Sequence, residues 1–254
     1  MGLKKVVRRG LARMGWQLER IEKRVTDEYS EDGLHTIHSY NFVDDPRFIK
    51  AYERGVLATG EDYHFRWRVH TALWIGRTAS RLEGDFVECG VNRGFMSSAI
   101  MSDLEWEKLG KTFWLLDTFQ GLDEKYVTEA EKKAGLMKHN LGDYYVRGVE
   151  SVQRNFAEWP SAKIVVGTVP ETLSEVTSEK IAFLHLDMNC MEPEVAALEH
   201  FWPKLVPGGM VLMDDFAYSG FAAQNKGLSA LAAKFGVTVF NSPTGQGVMI
   251  KPPK

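Results

Sequence analysis

The chain has 254 residues, 44% hydrophobic and 26% charged, with a formal net charge of −3. That composition is of a globular chain with a sizeable core, and its near-balanced charge excludes a general electrostatic case for nucleic acid. No apolar run approaches the ~18–20 residues of a bilayer span, the start lacks a signal peptide's apolar region, and two isolated cysteines, Cys89 and Cys190, suit a reducing compartment. A cytoplasmic protein without a transmembrane segment is expected.

Residues 1–24 carry Lys4, Lys5, Arg8, Arg9, Arg13, Arg20, Lys23 and Arg24 against Glu19 and Glu22. Val7, Leu11, Met14, Leu18 and Ile21 recur at three- and four-residue spacing, which predicts an amphipathic helix. It suits packing on protein, a second copy in a homo-oligomer included, or peripheral contact with anionic lipid. Residues 25–45 show little periodicity and read as a loop. A helix is expected after Pro46, with Asp45 as its cap. Residues 63–82 read as a second helix, stopped by Gly84. On it Arg66, Trp67, Arg68 and His70 either face a ligand or serve as an anchoring aromatic and snorkelling cations.

The stretch Asp85 to Gly94, DFVECGVNRG, is a β-type run, an acid at Glu88, glycines at 90 and 94, and then a helical pattern beginning FMSSAIM. Such a strand–turn–helix unit cradles nucleotides, because the glycines admit close backbone approach and the helix start offers free N–H groups. Glu88, Gly90, Val91, Gly94 and Ser97 are its candidate contacts. The spacing acid-x-Gly-x-x-x-Gly favours S-adenosylmethionine over a dinucleotide.

Further apolar runs follow as TFWLLD, KIVVG, IAFLHLD and GMVLMD, separated by helical stretches. Near-continuous apolar strands are covered on both faces, so the expected fold is α/β. It is a doubly wound, Rossmann-like and mostly parallel sheet, with GVMIK as an antiparallel last strand after the PTGQG turn and a helical extension at the N-terminus. Residues 1–82 form that extension or cap and 83–254 the cofactor-binding domain. Acids stand at the strand ends, where ligands of such sheets bind: Glu88, Asp117, Asp187, Asp214 and Asp215. Asp117, with Thr118 beside it, suits the two ribose hydroxyls, and Gly167-Thr168 lies where a third strand meets the adenine. Residues 119–145, with Tyr126, His139, Tyr144 and Tyr145, read as a long polar insertion and a substrate lid.

The block from Ala182 to Phe216 has a strand ending at Asp187, a helix from about Pro193, the turn Pro207-Gly208-Gly209 and a strand ending in Asp214-Asp215. With GDFVECGVNRG, LLDTFQGL, VVGTVPETL, HLDMN, VPGGMVLMDDF and PTGQGVMIK, the chain resembles the macrocin-type class I S-adenosylmethionine-dependent O-methyltransferases, from about Gly84 to Lys251. The resemblance implies methylation of a sugar hydroxyl and a magnesium ion on Asp187, Asp214 and Asp215. Three clustered carboxylates repel one another unless protonated or neutralised by a hard cation, which agrees; as an alternative, Asp214 and Asp215 cap the next helix. Asn189 departs from the family's second acid and removes a charge there.

The resulting expectation is transfer of a methyl group from S-adenosylmethionine, assisted by Mg²⁺, to a hydroxylated small molecule. Asp187 is the candidate base, with His185 and His139 as further catalytic candidates. Two rivals remain on the same architecture: an NAD(P)-dependent oxidoreductase, and a non-catalytic binding protein.

Overall fold

A computed structural model describes residues 29–141 and 143–253, apart from the His139 side chain. The expected basic helix of residues 1–24 and the His139 side chain therefore lie outside the described residues.

The stretch read as a loop contains a small hairpin, β1 (Tyr29–Glu31) and β2 (Leu34–Thr36), and a 3-10 turn at Asn41–Asp44. Three-residue strands are too short to show periodicity, but the Asp32-Gly33 pair, both at positive φ, is the turn chemistry that marks a hairpin. The expected helices are present as α1 (Pro46–Thr59) and α2 (Arg66–Ala79). Asp45 caps α1 by accepting the Arg47 N–H at 2.9 Å, and Gly60 ends it in the left-handed conformation.

Strands β3 (Asp85–Cys89), β4 (Phe113–Asp117), β5 (Ala162–Val166), β6 (Ile181–Leu186), β7 (Leu205–Met213), β8 (Phe240–Asn241) and β9 (Gly247–Ile250) form one sheet in the order β5-β4-β3-β6-β7-β9-β8. β3 to β7 are parallel, and β9 runs antiparallel to β7. Pro207-Gly208-Gly209 makes a bulge within β7: its pairing to β6 jumps from Leu205 opposite Ile181 to Met210 opposite Phe183.

Side chains alternate between the two faces of the sheet, as strand geometry requires. Phe86, Phe113, Leu115, Phe183 and Leu212 join Val69, Ile75 and Ile100 on one face. Val87, Leu116, Leu184, Leu186 and Val211 join Leu198, Phe201 and Leu228 on the other. The first layer holds α1, α2 and α3 (Phe95–Leu104), so both N-terminal helices share a core with the sheet. The second holds α6 (Met191–Phe201) and α7 (Ala222–Lys234).

The insertion of residues 119–145 is largely ordered structure. It contains α4 (Glu129–Ala134) between 3-10 turns at Glu124–Tyr126 and Leu136–Asn140, and α5 (Glu150–Phe156) follows. A Thr128–Glu131 capping box starts α4. The other oxygen of the buried Glu131 accepts the Met191 N–H at 2.8 Å, the first of α6, and so fastens the insertion to the sheet and its helices. Polarity alone suggested a loop because each helix here is too short to show a periodic apolar face. No described helix is long and apolar enough to cross a membrane.

Candidate active site

β3 lies between β4 and β6, so the strand order reverses there and a crevice opens beyond the carboxyl ends of the strands. A cavity of about 690 Å³ fills that crevice. Its lining includes Glu88, Gly90, Val91, Asp117, Thr118, Gly167, Thr168, Asp187, Asp214 and Asp215, ten of the positions singled out from the sequence.

Gly90 sits at φ +91°, and a Cβ there would fall 1.9 Å from the Asp187 carbonyl oxygen. The backbone leaving β3 therefore runs against the backbone leaving β6, at a distance that only glycine permits. Asp117 holds the following turn: its Oδ2 accepts the Val91 and Asn92 N–H groups, both at 2.7 Å, and its Oδ1 accepts that of Phe119 at 2.7 Å. Asn92 ties the turn to the insertion by accepting the Val146 N–H and donating to the Tyr144 carbonyl. Tyr144 and Tyr145 thus reach the cavity wall, where the Tyr145 hydroxyl is buried without a partner among the described residues.

Glu88 is 2% exposed, and its Oε1 lies 2.8 Å from His185 Nδ1. Its Oε2 has no partner among the described residues. His185 is fully buried behind Glu88 and does not line the cavity. Two other expected contacts are likewise not on the wall. Gly94 is the N-cap of α3, packed against Phe156, and Ser97 is a fully buried hydroxyl inside that helix.

The floor is acidic. Burial first, then Asp214 and Asp215, push the Asp187 carboxyl well above its ordinary range. Asn189, at φ +55°, donates to Asp187 Oδ1 at 3.1 Å. Burial and Asp214 raise Asp215 to about 6. At Asp214 burial acts in the same direction, but Arg68, His185 and Gln246 overcome it and hold the carboxyl low.

Arg68 is the main feature the sequence reading did not resolve. Its Nη1 lies 2.5 Å from Asp214 Oδ2 and 3.4 Å from Asp215 Oδ1, while its Nε donates to Asp32 of the hairpin at 2.7 Å. The other three residues weighed with it are used elsewhere: Arg66 pairs with Glu31 and Asp62, Trp67 packs on Tyr29, and His70 stacks on Phe42. The signal for Arg68 was its place on the buried stripe of α2, in line with Ala72, Ile75 and Ala79. Gln246, read as part of a turn, is fully buried and donates to Asp214 Oδ1 at 2.7 Å.

These contacts bear on the expected magnesium. Among the described residues no group of three or more His, Cys, Asp or Glu side chains is arranged to hold a metal ion. Both Asp214 oxygens accept N–H donors, and one of those donors is a cation. A divalent ion bound to Asp214 would have to share its carboxylate with a guanidinium, which like-charge repulsion opposes. As placed, the three acids do not fit Mg²⁺, since Asp214 and Asp215 are paired with Arg68.

The family model described as Macrocin-O-methyltransferase (TylF) matches residues 75–226. A tetracenomycin rhamnosyl 4'-O-methyltransferase of Streptomyces olivaceus is 28% identical over 144 residues, covering 55% of each chain. The mycinamicin III 3''-O-methyltransferase of Micromonospora griseorubida is 28% identical over 142 residues, 52% of this chain and 55% of that protein. The chain thus spans about half the length of these curated relatives. The solved O-methyltransferase NovP superposes with a TM-score of 0.69 at 20% identity, over 84% of this chain and 98% of that one, which shows the shared fold.

Proposed function

The chain belongs to the macrocin O-methyltransferase family, and on that premise we propose that it transfers a methyl group from S-adenosylmethionine to a hydroxyl of a glycosylated natural product. The observation that carries this reading is the glycine turn joined to an acidic floor inside one cavity. The family and the sugar O-methyltransferases among its relatives speak against a nicotinamide oxidoreductase.

In this reading Gly90 and Val91 bring bare backbone against the methionine part of the cofactor. The unpartnered Glu88 Oε2 is the acceptor for its ammonium. Asp117 receives the ribose hydroxyls while it holds the turn, and Gly167-Thr168 borders the adenine.

The acceptor hydroxyl lies on the floor, its oxygen about 3 Å from the sulfonium methyl, in line with the S–CH₃ bond. As the O–CH₃ bond forms, the S–CH₃ pair returns to sulfur and S-adenosylhomocysteine leaves. The hydroxyl proton passes to Asp187 in its ionised form, which burial beside Asp214 and Asp215 makes more basic than an ordinary carboxylate. No step passes through magnesium, because the acids as placed do not fit it.

The test is incubation of the full chain with S-adenosylmethionine and a panel of glycosides bearing free sugar hydroxyls, followed by mass spectrometry. A product heavier by one CH₂, with release of S-adenosylhomocysteine, is expected. Methylation of the aglycones alone would move the substrate class away from sugars. Binding of NADH without S-adenosylmethionine in a thermal-shift comparison would overturn the reading.

A further inference from the structure

We propose that the Arg68 guanidinium is the resident cation of the acidic floor, held there by Asp32, and that it takes the place a divalent metal would otherwise fill. The inference deepens the methyl-transfer reading and rests on it for the role of the floor. Its geometry stands independently.

Arg68 is 6% exposed and lies among three carboxylates. Its Nη1 meets Asp214 and Asp215, and its Nε meets Asp32 at 2.7 Å. Its guanidinium also covers the Tyr218 ring at 4.8 Å. A long cationic side chain held at two of its nitrogens and lying over an aromatic face has little freedom to swing away. Gln246 occupies the remaining Asp214 oxygen, so both faces of this carboxylate are satisfied by N–H donors.

The source of these partners is informative. The family model matches residues 75–226. Asp32 and Arg68 precede that stretch, and Gln246 follows it. The acids Asp187, Asp214 and Asp215 come from the shared core, whereas Arg68 and Gln246, which hold the two Asp214 oxygens, and Asp32, which holds Arg68, come from segments outside the match. The hairpin carrying Asp32 thus has a defined task, which is to anchor the guanidinium over the floor. A buried carboxylate cluster needs a counter-charge, and a guanidinium with several partners meets that need without a metal.

Manganese serves as the probe, read through loss of the free-ion signal in electron paramagnetic resonance, with magnesium titration calorimetry as a second measurement. Wild type is expected to bind neither ion tighter than the millimolar range, and any turnover should survive EDTA. In Arg68→Ala the vacated floor should take up one Mn²⁺ per chain with affinity raised by about tenfold or more, because a like charge has been removed from beside the ligands.

Removing a buried charge can prevent folding. Asp32→Asn therefore provides a second route, as it keeps the charge but frees the guanidinium. Mn²⁺ affinity should rise there by about threefold or more. Tight stoichiometric Mn²⁺ binding by wild type overturns the proposal, as does failure of both folded variants to bind Mn²⁺ better than wild type. Absence of methyl transfer to every glycoside would count against the functional reading alone, since metal binding is read without turnover.

Discussion

Glu88 and His185 face each other across β3 and β6 as register partners, with Glu88 Oε1 2.8 Å from His185 Nδ1 and both side chains buried. Burial opposes a charged imidazole, but the Glu88 hydrogen bond and charge outweigh it, so the His185 pKa is raised. The histidine is thus a positioning residue that holds the carboxylate of Glu88, a residue of the cavity lining.

Removing His185 leaves a buried carboxylate without its counter-charge. His185→Ala should cost about 3–5 kcal/mol and weaken S-adenosylmethionine binding. In a double-mutant cycle with Glu88→Gln, followed by urea denaturation, a coupling of about 1–3 kcal/mol is expected. Additive losses would show that the two residues act independently.

Gly90→Ala places a methyl group 1.9 Å from the Asp187 carbonyl at φ +91°. Backbone cannot yield as a side chain does, so the variant should lose several kcal/mol and its cofactor binding. Gly236→Ala is the control. Its φ is +69° but nothing lies within 4 Å of the added carbon, so it should cost only about 1–2 kcal/mol. Equal melting temperatures for the two variants would contradict the close approach.

Asp117→Ala releases the three backbone N–H groups of Val91, Asn92 and Phe119. Each charge-assisted bond contributes about 1.5–3 kcal/mol, so both stability and affinity should fall, the affinity by about tenfold or more. Titration calorimetry with unchanged S-adenosylmethionine affinity in a folded Asp117→Ala would remove this residue from the site.

Glu194 gives a pH signature. Burial, then Asp215, raises its carboxyl from 4.5 to about 8. A raised folded-state pKa means that the native state binds the extra proton. The associated stability is fully present below pH 4.5 and is lost as pH rises through about 8. Between these values each pH unit should remove up to about 1.4 kcal/mol. Asp187 and Asp215 shift in the same direction, so Glu194→Gln should flatten the wild-type decline without abolishing it. Identical slopes of melting temperature against pH would refute the assignment.

The sequence by itself determined the sheet, the glycine turn and the ring of acids at the strand ends. Those features are local: an apolar strand, a Gly90 that alone suits its turn, and an acid where the strand stops are all written within about ten residues of one another. The same is true of α1, whose cap Asp45 and stop Gly60 flank it directly. The small hairpin and the ordered insertion were harder to read because elements of three to six residues show no period. Tertiary structure alone decided what the acids face. Arg68 and Asp214 lie 146 residues apart, Asp32 reaches Arg68 from 36 residues before it, and Gln246 reaches Asp214 from 32 residues further on. No local pattern encodes such pairs. They arise because α2 packs its buried stripe on the sheet beside β7, which carries the charge of Arg68 to the carboxylates at the end of that strand.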